Sequence, residues 1–417
     1  MSKPGYNIKI NGDDDLYGRQ HLRLRSDFSE PTYMRSKIMA DIHNRLGLPS
    51  ISVNYAILYL NGENMGLYML MDIYKDSWIE RVYGEKNTTT LYKCDEDSFL
   101  TLESSSTSCK NQNDEVTDHT EWLNMLSRLD QAEKQEDIED IFDIDQFLKE
   151  IAIEYLTGAW DHIIKNTGHN YFMYKPVNGK WQYLLFDFDL DFGYNLDLIF
   201  METFDEFFEI AKKDNDFTNY SFKDFIDTNH IIDILVLRNS DHFDQLLKDI
   251  VKNVFNPAVL FPHIDEVKEF IRPYVKLDKT QDKNGNYPGR IKKEGTDYLF
   301  NMKQWENSVE YTMTKLSYYD KVYGLKQWIL GKYKYVCKTY NIECDKEFLE
   351  LNVSDNSNKA SIQSYNEDFN ENLNEDIIDN FIEDIDENIG GFNDIINDNS
   401  SDSFNENSDE NFDESEQ

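Results

Sequence analysis

No stretch of this 417-residue chain approaches the roughly 18 to 20 consecutive apolar residues that a membrane-spanning helix requires. The opening Met1-Ser2-Lys3-Pro4-Gly5 has no apolar core of the kind a secretory signal carries, so a leader is not expected within this start. Basic residues are scarce: 42 Lys and Arg stand against 80 Asp and Glu, and none form the clusters that phosphate-driven nucleic-acid binding needs. Nucleic acid is therefore not an expected partner. Cysteine is nearly absent, with Cys94, Cys109, Cys337 and Cys344 alone; no CxxC pair or His/Cys cluster has zinc spacing. The four fall into two local pairs, each bracketing a polar loop. An even count with paired spacing predicts two disulfides, and hence an oxidising compartment.

The acid excess is uneven. Residues 351–417 carry 20 Asp and Glu with one Lys, 15 Asn and no Pro, a composition that predicts a disordered tail. Within it Ile378, Phe381, Ile382, Ile385, Ile389, Phe392 and Ile396 follow helical spacing, although Gly390-Gly391 interrupts them. The segment 377–396 is thus a candidate to fold on a partner, against the plainer expectation of an inert solvated tail.

Aromatic residues are plentiful, with 26 Tyr and 26 Phe, so the remainder can bury a sizeable core. Residues 6–10 and 21–25 alternate as strands do. A helix is expected from Pro31, with Met34, Ile38, Ile42 and Leu46 on one face and Gly47 with Pro49 ending it. Asn61-Gly62 between 55–60 and 66–71 marks a hairpin. From about residue 120 helices dominate. Asp143 with Gln146 forms a capping pattern that Phe142 and Phe147 can staple, and Gly158 ends that helix. Two strands, 171–175 and 181–187, follow around a turn at 176–179.

Chemistry is most concentrated in Leu184-Leu185-Phe186-Asp187-Phe188-Asp189-Leu190-Asp191-Phe192-Gly193. Were the strand to continue, Asp187, Asp189 and Asp191 would share one face and suit a hard divalent cation. An EF-hand is excluded: the glycine falls at position 7 of the loop and position 12 is Leu198. The literal Asp191-Phe192-Gly193 matches the kinase metal triplet, a weak signal in so Asp- and Phe-rich a chain. Upstream, the 160–170 loop sets Asp161 between a helix end and a strand, with Asn166 five residues on and Asn170 nine. Protein kinases order a base Asp, a metal Asn and a metal Asp in this way. Taken singly, an Asp and an Asn in a loop are more often turn-formers.

His169-Asn170-Tyr171-Phe172-Met173-Tyr174, then Gly179-Lys180-Trp181, Asp187-Phe188-Asp189 and Gly193, resembles the signature of the CotH kinase family. So do Glu30-Pro31-Thr32-Tyr33-Met34-Arg35, the hairpin Leu60-Asn61-Gly62-Glu63-Asn64-Met65-Gly66-Leu67-Tyr68 with Asp72 in place of the usual Glu, and Tyr323-Gly324-Leu325-Lys326-Gln327-Trp328-Ile329. The resemblance covers roughly residues 3–350. It implies an α+β, atypical protein-kinase-like two-lobed fold over 1–350, with a mixed lobe at about 1–90, a helical lobe at about 120–350, and the acidic tail beyond. It further implies metal-dependent transfer of phosphate from ATP to Ser or Thr of a secreted or surface protein, with Mg2+ or Mn2+. Asp161 is then the general base, while Asn170 and Asp187 hold the metal with Asp189 assisting. The 31–46 helix lacks a mid-helix Glu to pair with a phosphate-anchoring Lys; Lys9 and Arg35 are candidates on charge and position alone. A glycine-rich nucleotide-covering strand pair is either absent or upstream of Lys3. Two rivals stand beside this: a pseudokinase serving as a surface adhesion or assembly module, and a calcium-binding structural protein.

Overall fold

The alternating segments near the start form β1 (Tyr6–Lys9) and β2 (His21–Arg25), and the Asn61-Gly62 turn joins β3 (Val53–Leu60) to β4 (Glu63–Asp72). Both turn residues have positive φ, 51° and 83°, as a tight hairpin between right-twisted strands demands. The four strands make one antiparallel sheet in the order β1-β2-β4-β3. Helix α1 spans Arg35–Leu46 and ends at left-handed Gly47. It begins four residues later than Pro31 suggested. The Glu30 carboxylate instead accepts the amides of Thr32 and Met34 and closes a turn ahead of the helix.

The computed structural model describes residues 2–352 apart from 13, 27–29, 166, 201–215, 228, 293–299 and 316–320. Asn166 and the tail readings, disorder and the 377–396 segment alike, fall outside the described residues. Residues Met1–Val353 form one compact unit. The main hydrophobic cluster runs from Tyr33 to Ile342, with a small second one of Leu24, Met65 and Tyr68 on the first sheet, so packing alone does not divide the unit into two lobes.

A second antiparallel sheet, ordered β6-β5-β7-β8, holds β5 (Leu91–Cys94), β6 (Cys109–Asn111), β7 (Tyr171–Tyr174) and β8 (Gln182–Leu185). All four β7 side chains are buried. Tyr74 packs on Phe172 with ring centroids 5.1 Å apart, while the Gln146 side chain hydrogen-bonds the backbone of Tyr183. The intervening helices are α2 (Asp76–Tyr83), α3 (Leu102–Ser108), α4 (Thr120–Gln131) and α5 (Ile144–Thr157). As the sequence indicates, Asp143 caps α5 by accepting the Gln146 amide, Phe142 and Phe147 pack at 5.2 Å, and left-handed Gly158 ends the helix. The reciprocal half of the capping pattern is not made, because the Gln146 side chain turns to Glu150 and Tyr183 and the Asp143 amide donates to Trp181 O. Beyond them lie α6 (Asp241–Asn253), α7 (Pro257–Asp278), α8 (Met302–Val309), the β9–β10 pair (Met313–Lys315, Lys321–Tyr323) and α9 (Leu325–Thr339).

Both expected disulfides form. Cys94 and Cys109 face each other across β5 and β6, and Cys337 bridges to Cys344. Among the described residues no helix is long and apolar enough to cross a membrane.

Candidate functional site

Gly158 turns the chain out of α5 so tightly that the Trp328 ring occupies the space a Cβ would need. The loop that follows is held by its own backbone and hydroxyls. The Thr167 hydroxyl donates to the carbonyls of Trp160 and His162, and the Gly168 amide donates to His162. The Trp160 indole donates to Tyr194 O across the site. On its outer side the disulfide-closed segment buttresses it: Ser98 N donates to Gly168 O at 2.7 Å and Asp97 N to Thr167 O.

Asp161, at 8% exposure, is hydrogen-bonded through one oxygen and faces an imidazole with the other. Oδ2 accepts from Asn170 Nδ2 at 2.7 Å, and Oδ1 lies 3.0 Å from His169 Nε2. Burial pushes the Asp161 carboxyl up, with the His169 imidazole opposing it. Burial also disfavours the His169 cation, but the Asp161 carboxylate outweighs it and His169 is raised. His162 is the opposite case: burial pushes it down to about 4, so it is a neutral ring beside the Phe186 carbonyl.

Asn170 has φ 60° and Asp187 φ 64°. Left-handed backbone is uncommon outside glycine, and non-glycine residues held there cluster at functional sites. The β7–β8 register pairs Tyr171 with Leu185, and the Phe186 amide donates to Asn170 O. Asn170 and Asp187 are therefore set at the same end of one hairpin. After the Phe186–Asn170 bond the left-handed backbone at Asn170 and Asp187 takes both chains off the ladder, so β8 ends at Leu185. This corrects the expectation of a strand through Asp187. The chain turns at Asp187, so the three alternate aspartates do not line one strand face.

Two of them are joined by another route. Arg25, the last residue of β2, places Nη1 2.6 Å from Asp187 Oδ1 and Nη2 2.9 Å from Asp189 Oδ2. Burial opposes both charges. The guanidinium nonetheless holds Asp187 well below the usual carboxylate range, and the Asp187 charge helps push Asp189 above it. Asp191 stands apart. Neither of its carboxyl oxygens has a hydrogen-bond partner, and burial, with Glu154 and Asp189 nearby, pushes it well above its ordinary value.

The structure thus brings Asp161 and Asn170 into direct contact, joins Asp187 to Asp189 through Arg25, and sets Asn170 and Asp187 at one hairpin end. It does not bring Lys9 there: Lys9 is exposed in β1 opposite His21, four residues up β2 from Arg25. Arg35 is fully buried, and its donors reach Glu30, the carbonyls of Asp191 and Phe192, and Tyr323 O. That geometry makes it a clamp on the 191–192 turn, not a group facing a nucleotide. Arg25 and the His169 contact escaped sequence reasoning. Arg25 is merely the end of an alternating strand, and His169 one letter of a motif.

Among the described residues no group of three or more His, Cys, Asp and Glu is arranged to hold a metal. The donor set is still all oxygen and buried, with Asp187, Asp189 and the Asn170 amide, which suits Mg2+ or Mn2+ better than zinc. The place between the two carboxylates is taken by Arg25.

A family model described as CotH kinase protein matches residues 2–336. The chain is 26% identical over 315 residues to Invasin CotH2 of Rhizopus delemar, covering 67% of this chain and 48% of that protein. It is 26% identical over 365 residues to Invasin CotH3 of the same fungus, covering 82% and 57%. Inner spore coat protein H of Bacillus subtilis is 21% identical over 298 residues, covering 67% and 75%. The chain spans about half the length of the Rhizopus relatives it matches.

Proposed function

Because the chain belongs to the CotH kinase protein family, we propose that it is an atypical, metal-dependent protein kinase that moves the ATP γ-phosphoryl group to a Ser or Thr hydroxyl of a secreted or surface protein. One observation carries this: the Asp161–Asn170 contact and the Arg25-bridged Asp187–Asp189 pair lie at one hairpin end, in the chain order that kinases use. The β1–β4 sheet with α1 serves as the smaller lobe and the helical remainder as the larger.

Asn170, Asp187 and Asp189 would hold the metal, which when bound would supply charge neutralisation at the phosphates. Asp161 takes the acceptor proton as the acceptor oxygen bonds to the γ-phosphorus and the bond to the ADP oxygen breaks. The Asn170 bond to Oδ2 fixes its direction of approach, and the Ser98–Gly168 contact keeps the loop in place. The proton ends on Asp161, whose burial already favours the protonated form.

A second reading, a pseudokinase acting as a surface adhesion or assembly module, draws support from Arg25 lying across the metal-binding pair and from the invasin names of the Rhizopus relatives. Labelled ATP with Mg2+ or Mn2+ separates the two. Label in phosphoserine or phosphothreonine supports the kinase; no label and no nucleotide binding supports the module.

A further inference from the structure

Arg25 reaches the acidic cluster from a fixed position. Its backbone lies in β2, paired with Met69 of the neighbouring β4, and its side chain is 9% exposed. The guanidinium spends one nitrogen on each of two different carboxylates, Asp187 and Asp189. A guanidinium keeps its charge at any pH a protein survives, so it cannot release the pair by losing a proton. It can only change partners. The two carboxylates are those assigned above to the metal. A divalent cation bonded to both at the same time would face the guanidinium across a few ångströms in a buried site, where like charges repel strongly. Phosphate oxygens offer a guanidinium the same forked, charge-assisted geometry that carboxylates do.

We infer that Arg25 is a counter-ion latch: without nucleotide it neutralises the Asp187–Asp189 pair and keeps metal off, and nucleotide phosphate draws it away so that the pair can take the metal. The nucleotide half rests on the kinase reading; the metal half rests only on that reading's assignment of Asp187 and Asp189 to a metal. No covalent bond changes in this exchange. The latch makes metal and nucleotide binding mutually reinforcing, and linkage requires each to raise the affinity of the other by the same factor. A merely structural ion pair behaves differently. Its loss would lower stability without raising affinity for a metal.

The test uses the full chain as wild type and as Arg25→Gln, titrated calorimetrically with Mn2+ alone, with the non-hydrolysable analogue AMP-PNP in chelator, and with both. Wild type is expected to bind Mn2+ weakly alone and about tenfold more tightly with saturating AMP-PNP. R25Q is expected to bind Mn2+ alone about tenfold more tightly than wild type, to bind AMP-PNP with Mn2+ about tenfold more weakly, and to lose the coupling. R25Q that gains no Mn2+ affinity overturns the latch, whatever the nucleotide does. R25Q that gains Mn2+ affinity while neither protein binds AMP-PNP keeps the metal half of the latch and removes the kinase reading. If circular dichroism shows R25Q unfolded, Arg25→Lys carries the same test, because lysine keeps a cation but cannot fork between two carboxylates. A gain of about threefold in Mn2+ affinity then supports the latch, and no gain overturns it.

Discussion

Asn170 donates from Nδ2 to Asp161 Oδ2 at 2.7 Å, tying together two residues nine positions apart at either end of one loop. The bond orients both. It fixes which way the Asp161 carboxyl faces, and it turns the Asn170 amide so that its oxygen is the atom left for a cation. Asn170→Asp replaces the donor with a second buried acid. Stability should fall by about 1–3 kcal/mol in urea unfolding at neutral pH, as a broken buried hydrogen bond costs. A variant as stable as wild type would mean the contact is not made in solution.

Metal and nucleotide binding should depend on Asp187 and not on Asp191. Asp187 sits at the hairpin end beside Asn170 and meets Arg25. Asp191 lies behind, its backbone carbonyl held by Arg35 and its carboxyl pushed toward the neutral form by burial. In thermal melts with ATP and Mg2+, Asp187→Asn should lose the ligand-dependent rise in Tm, while Asp191→Asn keeps it. The reverse pattern would restore the literal Asp191-Phe192-Gly193 triplet as the metal site.

Local signals carried much of the fold. The Asn61-Gly62 hairpin, the Asp143 cap with its Phe142–Phe147 staple, and the Gly158 stop all rest on a few neighbouring residues, and all hold. The cysteine pairing held for the same reason. Strands β5 and β6 were illegible because runs of four and three residues carry no usable period, and partners far along the chain define them. The site was half legible. Asp161, Asn170, Asp187 and Asp189 stand in an order the sequence displays, whereas Arg25 comes from another sheet and meets the pair only through tertiary packing.

Glu154 gives a pH test. It is fully buried in α5 and burial raises its carboxyl from 4.5 to about 8, although Tyr183 Oη and Ile164 N donate to it. Between those values the folded chain holds a proton that the unfolded chain has released. This group's contribution therefore makes stability fall as pH rises from 4.5 to about 8. Glu154→Gln removes that slope. Its stability relative to wild type should climb between pH 5 and pH 8 by an amount on the order of a few kcal/mol in chemical denaturation. A constant difference across that range would show that Glu154 is ionised in the fold.

The Cys94–Cys109 bridge closes a 15-residue separation whose inner segment holds Gly168 through Ser98. Replacing both cysteines with serine should lower stability by about 3 kcal/mol in the chain-entropy account, and the shorter Cys337–Cys344 loop should cost somewhat less, about 2.4 kcal/mol. The two double variants should also differ at the site. Only loss of Cys94–Cys109 is expected to weaken nucleotide binding, because only that loop abuts the 161–170 segment. Equal effects on binding would count against the buttress.

The central claim is that Asp161 acts on the acceptor and not on the nucleotide. Its most direct test measures, in one preparation, ATP affinity and the rate of label transfer from γ-labelled ATP for wild type, Asp161→Asn and Asp187→Asn. A longer protein with its own N-terminal sequence should be used if this chain is a piece of one. The account predicts that Asp161→Asn binds ATP within about threefold of wild type while labelling falls by about 10²-fold or more, the range typical of a lost general base. Asp187→Asn should lose both. Labelling in Asp161→Asn equal to wild type would contradict the assignment, and wild type that neither binds nor labels would contradict the kinase account itself.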